Sequence, residues 1–275
     1  MRGYLIVSFR ERWCSWEAGL SWGYYRMHRF FVPHEAIISE TAVISDCAQV
    51  HHLKDVLRIK PGEQVVIFDE EGREYVCEVK SLSKRVTLGI CGKKGGSASG
   101  KGLRLTMGCA VLKGRGMDDL FDKLTQTGVE HIIPLTTARS VSRIAREKED
   151  VKLRRWERIC LAAVKQSKGA LLPVISAPRG LEEAAGLVSD CELKLIATVP
   201  RQGIQPLPLR VACQVLKPQS AAVFVGPEGA FTVEEVCFAL ESGFKPVSLG
   251  RMVLRAETAA VAAASFLKLY FHETD

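Results

Sequence analysis

The chain has 275 residues, 47% of them hydrophobic and 25% charged. That composition belongs to a globular protein of one large or two modest domains, and no run approaches the roughly 18 apolar residues of a membrane span. The formal net charge of +7, from 38 Lys and Arg against 31 Asp and Glu, is compatible with a polyanionic partner. Nine cysteines without C-x-x-C pairs or metal-ligand spacing fit free thiols in a reducing cytoplasm, and no metal site is expected.

Residues 1–26 differ from the rest. They hold three of the four tryptophans, Trp13, Trp16 and Trp22, and three of the five tyrosines. Glu11, Arg12 and Glu17 interrupt any signal-peptide core. The segment is taken as an extension, either disordered or upstream of a true start at Met27, with an aromatic interaction segment as the alternative.

Residues 28–91 fit a small β domain. Strands are expected at 30–32, 64–68, 74–80 and 85–90, with a short helix or turn at 51–58 and a hairpin turn at 69–72. Strands at this spacing suggest a barrel. Positions 92–102, GKKGGSASGKG, have the composition of a flexible linker and mark a domain boundary.

From Leu103 the pattern becomes α/β. Alternation of Leu105, Met107 and Cys109 predicts a strand, and 118–127 a helix stopped by Gly128. Further strands are expected at 131–135, 193–198, 221–225 and 246–249, with helices at 150–167 and 258–271. Strands alternating with helices argue for a parallel sheet. Residues 139–168 carry ten basic side chains against four acidic ones, a cluster of the kind that binds nucleic acid.

Two strands end at glycine. The first runs into VGPEGAF, residues 225–231, where Pro227 stops the ladder and Gly226 and Gly229 free the backbone. Thr232 and Glu235 then have the spacing of a capping box. The second ends at Gly250 within LGRMVLRAETA, residues 249–259. The pair suggests one site built from loops at neighbouring strand ends, with ordinary turn chemistry as the competing explanation.

VFVGPEGAF and LGRMVLRAETA resemble the paired C-terminal signatures of the 16S ribosomal RNA uracil-N3 methyltransferases, of the SPOUT superfamily. The resemblance implies a knotted parallel-sheet domain over 103–275. Through Arg29-Phe30-Phe31-Val32 and the 52–58 run, it implies a PUA-like RNA-binding barrel over 27–91. It also implies S-adenosyl-L-methionine as methyl donor, small-subunit ribosomal RNA as partner, and a homodimer. Thr198, Gly226, Pro227, Gly229, Leu249, Gly250, Leu254, Thr258 and Ala259 are the expected cofactor-binding positions. Thr258 is alternatively the cap of the last helix.

Arg255 and Glu228 are the expected catalytic residues, with a pairing of Arg255 to Glu257 or Glu228 as the structural alternative. Arg29, His52, Arg58, Lys113 and Arg139 are expected to meet RNA; a hydrogen-bonded structural role is the alternative for His52. Several positions depart from the family pattern: Gln126, Ala138 and Lys165 replace acids, Gly169 an arginine, Ala230 a glycine and Met252 an arginine. A SPOUT-fold RNA-binding protein with another RNA target, or with degenerate catalysis, is therefore the rival reading.

Overall fold

The computed structural model describes residues 27–94, 102–140, 144–167, 171–201, 203–214 and 217–271. The reading of residues 1–26, and of positions 95–101 in the glycine-rich stretch, lies outside them.

The first sheet has six strands: β1 (Arg29–Phe31), β2 (Ile37–Ile38), β3 (Thr41–Ile44), β4 (Gln64–Phe68), β5 (Glu74–Leu82) and β6 (Val86–Lys94), in the order β1-β4-β5-β6-β3-β2. Only the β1–β4 pair is parallel. The sheet curls around Phe30, Ile44, Val65, Ile67, Val79 and Leu88. Asp69 builds the β4–β5 turn. Its buried carboxylate accepts from the Glu71 and Arg73 backbone N–H groups at 3.1 and 2.9 Å and from Arg73 Nε at 2.7 Å. Gly72 supplies the left-handed φ of 76°.

Three differences from the sequence reading have local causes. β2 and β3 are short and lack a long alternating run. Helix α1 (Cys47–His51) starts before the expected 51, because the Asp46 carboxylate caps it through Gln49 N at 2.7 Å. It continues as a π-helical turn over His52–Val56. β6 runs past 90 because Tyr75 and Glu74 of β5 pair with Lys93 and Lys94, so cross-strand bonds hold Gly92–Lys94 in the sheet.

The second sheet is parallel: β7 (Arg104–Ala110), β8 (His131–Thr136), β9 (Val174–Ile175), β10 (Arg179–Gly180), β11 (Leu193–Ala197), β12 (Leu207–Pro208), β13 (Ser220–Val225) and β14 (Lys245–Ser248). The order is β10-β8-β7-β13-β11-β14-β12, with β9 also on β8. The helices are α2 (Gly116–Gln126), α3 (Glu149–Ser167), α4 (Leu181–Leu187), α5 (Leu209–Cys213), α6 (Val233–Glu241) and α7 (Ala256–Tyr270). Residues of α2, α3, α5 and α7 share one core, while α4 and α6 share the other. β13 is buried along its whole length, as a strand covered on both faces must be. Gly108 of β7 makes room for it: a Cβ there would lie 2.4 Å from the Phe224 ring.

The order of β11–β14 threads the chain. After β11 the chain crosses to β12, beyond β14, and returns through α5 to β13. That excursion rings β14. The chain enters the ring from α6 on one face of the sheet and leaves to α7 on the other. This is the knot that the motifs imply, an exception to the general rule against threaded loops.

α7 begins at Ala256, two residues before the expected start. It buries Ala256, Ala259, Ala260, Ala263, Ala264 and Leu267. Ala262, Leu269 and Tyr270 stay exposed, so the chain's own fold covers one side of this helix and not all of it.

Burial controls the thiols. Desolvation pushes Cys109 and Cys77 up to about 12, the latter with a contribution from Cys91, and Cys160 and Cys213 up to about 11. Cys47, Cys91 and Cys237 are exposed. The thiolate is the reactive form. Iodoacetamide on the native protein at mild alkaline pH is therefore expected to label those three and spare the four buried ones. Peptide mass mapping reads the result, and equal labelling of Cys109 and Cys237 before unfolding would contradict it.

Candidate functional site

Because β8, β11, β13 and β14 are parallel, the loops that follow them open at one edge of the sheet. Thr198, Gly226, Pro227, Glu228, Leu249, Gly250, Leu254 and Ala259 line a single cleft there. Its empty space is about 620 Å³, counting the part open to solvent. Val199, Met252 and Val253 add apolar surface.

The loop after β13 is tightly specified. Ala230 N donates to Pro227 O at 2.8 Å, which closes a turn and puts Ala230 at φ 55°. A glycine, the family's usual residue here, would hold that left-handed conformation without the cost of about 1 kcal/mol that a Cβ brings. At Gly226 a Cβ would lie 3.0 Å from both the ring and the backbone nitrogen of Phe231.

The capping box forms as expected. Glu235 N donates to Thr232 Oγ1 at 3.2 Å, and Thr232 N donates to Glu235 Oε2 at 2.8 Å. Neighbouring loops hold the same segment. Arg139 Nη1 donates to Gly229 O and Arg201 Nη1 to Phe231 O, both at 2.9 Å. Ala138 N donates to Glu235 Oε1 at 2.7 Å.

The loop after β14 turns at Gly250, whose φ of 134° is open essentially to glycine alone. Ser248 Oγ donates to Gly250 O at 3.1 Å and accepts from Gly250 N at 3.3 Å. Arg255 occupies the cap position of α7 with extended backbone and no side-chain cap bond. Its side chain is exposed, and among the described residues it forms no ion pair or hydrogen bond, so the expected alternatives with Glu257 and Glu228 are not made. Thr258 does not cap α7; it lies exposed within the first turn. Gly229 is also absent from the cleft lining and instead packs toward the Arg139 side chain, 3.4 Å from where its Cβ would be.

A model of the RNA methyltransferase domain matches residues 99–268, and one of the RNA methyltransferase PUA domain matches residues 44–91. The ribosomal RNA small subunit methyltransferase E of Aquifex aeolicus is 31% identical over 224 residues, covering 80% of this chain and 90% of its own. This chain belongs to that methyltransferase E family. The Synechocystis member is 29% identical over 236 residues, 86% of this chain and 75% of its own. The crystal structure of the Neisseria gonorrhoeae member bound to S-adenosyl methionine aligns with a TM-score of 0.74 at 29% identity, over 89% of this chain and 98% of that one.

Of the five positions expected to meet RNA, Arg29 and His52 line one groove between the barrel and α3, while Arg58, Lys113 and Arg139 are not part of it. Arg29 is corrected to an interior role. Its side chain is only 9% exposed, it pairs with Glu74, and it lies 4.9 Å over the Phe68 ring. A guanidinium so enclosed is not presented to a phosphate. His52 is exposed 6.5 Å from the Phe30 ring and faces the groove between barrel and α3, with Lys165 and Gln166 opposite. Its side chain makes no hydrogen bond among the described residues. Arg58, at φ 54°, and Lys113 are exposed on separate loops, while Arg139 is exposed and reaches Gly229 O in the loop after β13.

Two of the departures are also placed. Gln126 donates to Asp122 Oδ2 at 2.8 Å on the surface of α2. Lys165 is half-buried; desolvation lowers its pKa against the opposing charge of Asp46. Along α3 and the turn before it, Arg146, Lys148, Arg154 and Arg158 are exposed, while Arg155 is held by Asp118 through Nε at 3.2 Å. Sequence reasoning found neither Arg201 nor the second contact of Glu235; both bridge loops far apart in the chain and leave no local signal.

Proposed function

We propose that this protein transfers a methyl group from S-adenosyl-L-methionine to N3 of a uridine in 16S ribosomal RNA of the small ribosomal subunit, in the cytoplasm. The observation that carries the reading is the cleft, where both motif loops meet beside Arg255, which has no carboxylate partner among the described residues. The cleft suits the donor: loop backbone is available to the polar edge of adenine, and Val199, Leu249, Leu254 and Ala259 can cover its faces.

The donor supplies an electrophilic methyl carbon on a positively charged sulfur. Uracil N3 carries a proton that must leave before the nitrogen can attack. Glu228, exposed at the cleft, is the base that takes it. Arg255 stabilises the negative charge that spreads onto the uracil carbonyl oxygens. N3 then bonds to the methyl carbon as the carbon–sulfur bond breaks and its electron pair stays on sulfur. The barrel, residues 27–91, and the basic face of α3 hold the RNA.

The test is transfer from labelled donor to small subunits taken from a strain lacking the gene, followed by mass spectrometry of the RNA. N3-methyluridine at one position is expected. Leu254→Arg, which puts a cation into the cleft proposed for a cationic donor, should weaken donor binding at least about tenfold and lower transfer at limiting donor. Transfer to a ribose or another base would reject the assignment.

The reading includes a homodimer. Met252 and Val253, in the loop before α7, are 78% and 85% exposed, and along α7 Leu269 is 77% exposed with Ala262 and Tyr270 also uncovered. Exposed apolar clusters mark interaction surfaces. Light scattering at micromolar concentration should give twice the chain mass of 30.3 kDa; a monomer mass would contradict it.

A further inference from the structure

Glu235 does more than close the α6 capping box. Its two carboxylate oxygens each accept one backbone N–H, from Thr232 at 2.8 Å and from Ala138 at 2.7 Å. Thr232 belongs to the loop after β13, and Ala138, 97 residues before Glu235, to the loop after β8. The residue next to Ala138 is Arg139, which donates to Gly229 O at 2.9 Å. The turn that carries Arg139 is closed on itself by Ser140 N to Thr137 O at 3.1 Å and by the Thr137 and Ser140 hydroxyls at 2.8 Å. One carboxylate thus fixes both the donor-side loop and the backbone from which Arg139 projects.

A guanidinium has five N–H donors. One of Arg139's is spent on Gly229 and the side chain is exposed, so others remain for a phosphate beside the cleft. Arg139 also lies near the exposed carboxylate of Glu234, which is held below its usual range by its own backbone N–H, by the Thr232 hydroxyl and by Arg139.

We propose that Glu235 is a positioning residue for RNA: by clamping Ala138 to Thr232 it sets Arg139 at the lip of the methyl-donor cleft, where the guanidinium receives a backbone phosphate next to the target nucleotide. The inference rests on the function proposed above and deepens it. Only a carboxylate can do this. The amide of glutamine offers one acceptor oxygen and turns an NH₂ toward the other N–H. Glu235→Gln can keep the Thr232 contact and the Thr232 Oγ1 cap while losing Ala138.

The test is a double-mutant cycle on the full-length protein, with unmethylated small subunits as substrate. Glu235→Gln and Arg139→Ala should each raise KM for subunits about tenfold, the size of one lost charge-assisted bond. Both should leave kcat within about threefold, as for lost uniform binding. In the Arg139→Ala background, Glu235→Gln should add nothing, because its effect passes through Arg139. A structural role predicts the opposite: a full additional factor in the double variant, which would overturn the proposal. So would an unchanged KM in Arg139→Ala. If Glu235→Gln loses its fold, Glu235→Asp enters the same cycle, its shorter side chain being unable to span both N–H groups; unfolding of both would make Glu235 structural and overturn the proposal. Absence of any transfer by the unaltered protein would overturn this and the functional reading together, and that control is read before any variant is made.

Discussion

Arg255→Ala should lose on the order of 100- to 1000-fold in single-turnover methylation of small subunits, the usual cost of removing one donor that stabilises developing charge. Its melting temperature and donor affinity should hold. The structure makes the separation of these effects sharp. Arg255 caps α7 only through its backbone, with Ala259 N donating to Arg255 O at 2.8 Å, and alanine keeps that carbonyl. No carboxylate among the described residues is left unpaired when the guanidinium goes, so the usual penalty for breaking a buried pair does not arise. The side chain is not part of the cleft lining either, which predicts that calorimetry with the donor alone will see little change. Near-normal turnover would reject the catalytic role and move the test to Glu228. Collapse of the fold would assign Arg255 to structure. A lysine in its place should restore only part of the rate, since an ammonium is a point charge without the planar fork that can face two oxygens.

The parts of this site that sequence makes legible are those encoded within a few residues. The apolar run before Gly226, the capping box of Thr232 and Glu235, and the glycine that ends β14 all have local causes, and all stand where they were expected. Ala230 is the instructive case. Its departure from the family's glycine is visible in the sequence, and the structure supplies the reason glycine is usual there, the φ of 55°. What is not legible depends on contacts between distant segments. Arg29 looks like a phosphate ligand until Glu74 and the Phe68 ring, brought close by β4 and β5, enclose it. Thr258 looks like a cap until α7 is seen to begin two residues earlier. The knot has no periodicity of its own: it arises because the β12–α5 excursion passes outside β14, and only the family motifs point to it. Glu235 combines both kinds of information. Its cap is local, whereas its hold on Ala138 reaches from the loop after β13 past β7 to the loop after β8.

Affinity for small subunits should fall by a few hundredfold between 50 and 200 mM monovalent salt. Each phosphate neutralised by a side chain releases bound counterion, with a logarithmic slope of about −0.7 to −0.9 per contact. The exposed Arg146, Lys148, Arg154 and Arg158 form a basic stretch across the start of α3, and Arg139 is exposed beside Gly229. Five such contacts give a slope of roughly −3.5 to −4.5, hence the expected loss. Arg155 does not add to the count, because Asp118 already neutralises it. Arg29 does not either, being enclosed with Glu74. The discount matters: counting every basic residue of the cluster would demand a slope about twice as steep. Filter binding across a salt series reads the slope directly. Charge-removing variants then test the assignment one contact at a time, since Arg154→Gln should lower the slope by about one contact, whereas Arg29→Gln should leave it unchanged and cost stability instead. A flat response, or a slope that Arg29→Gln reduces as much as Arg154→Gln does, would remove the α3 face as the RNA footprint.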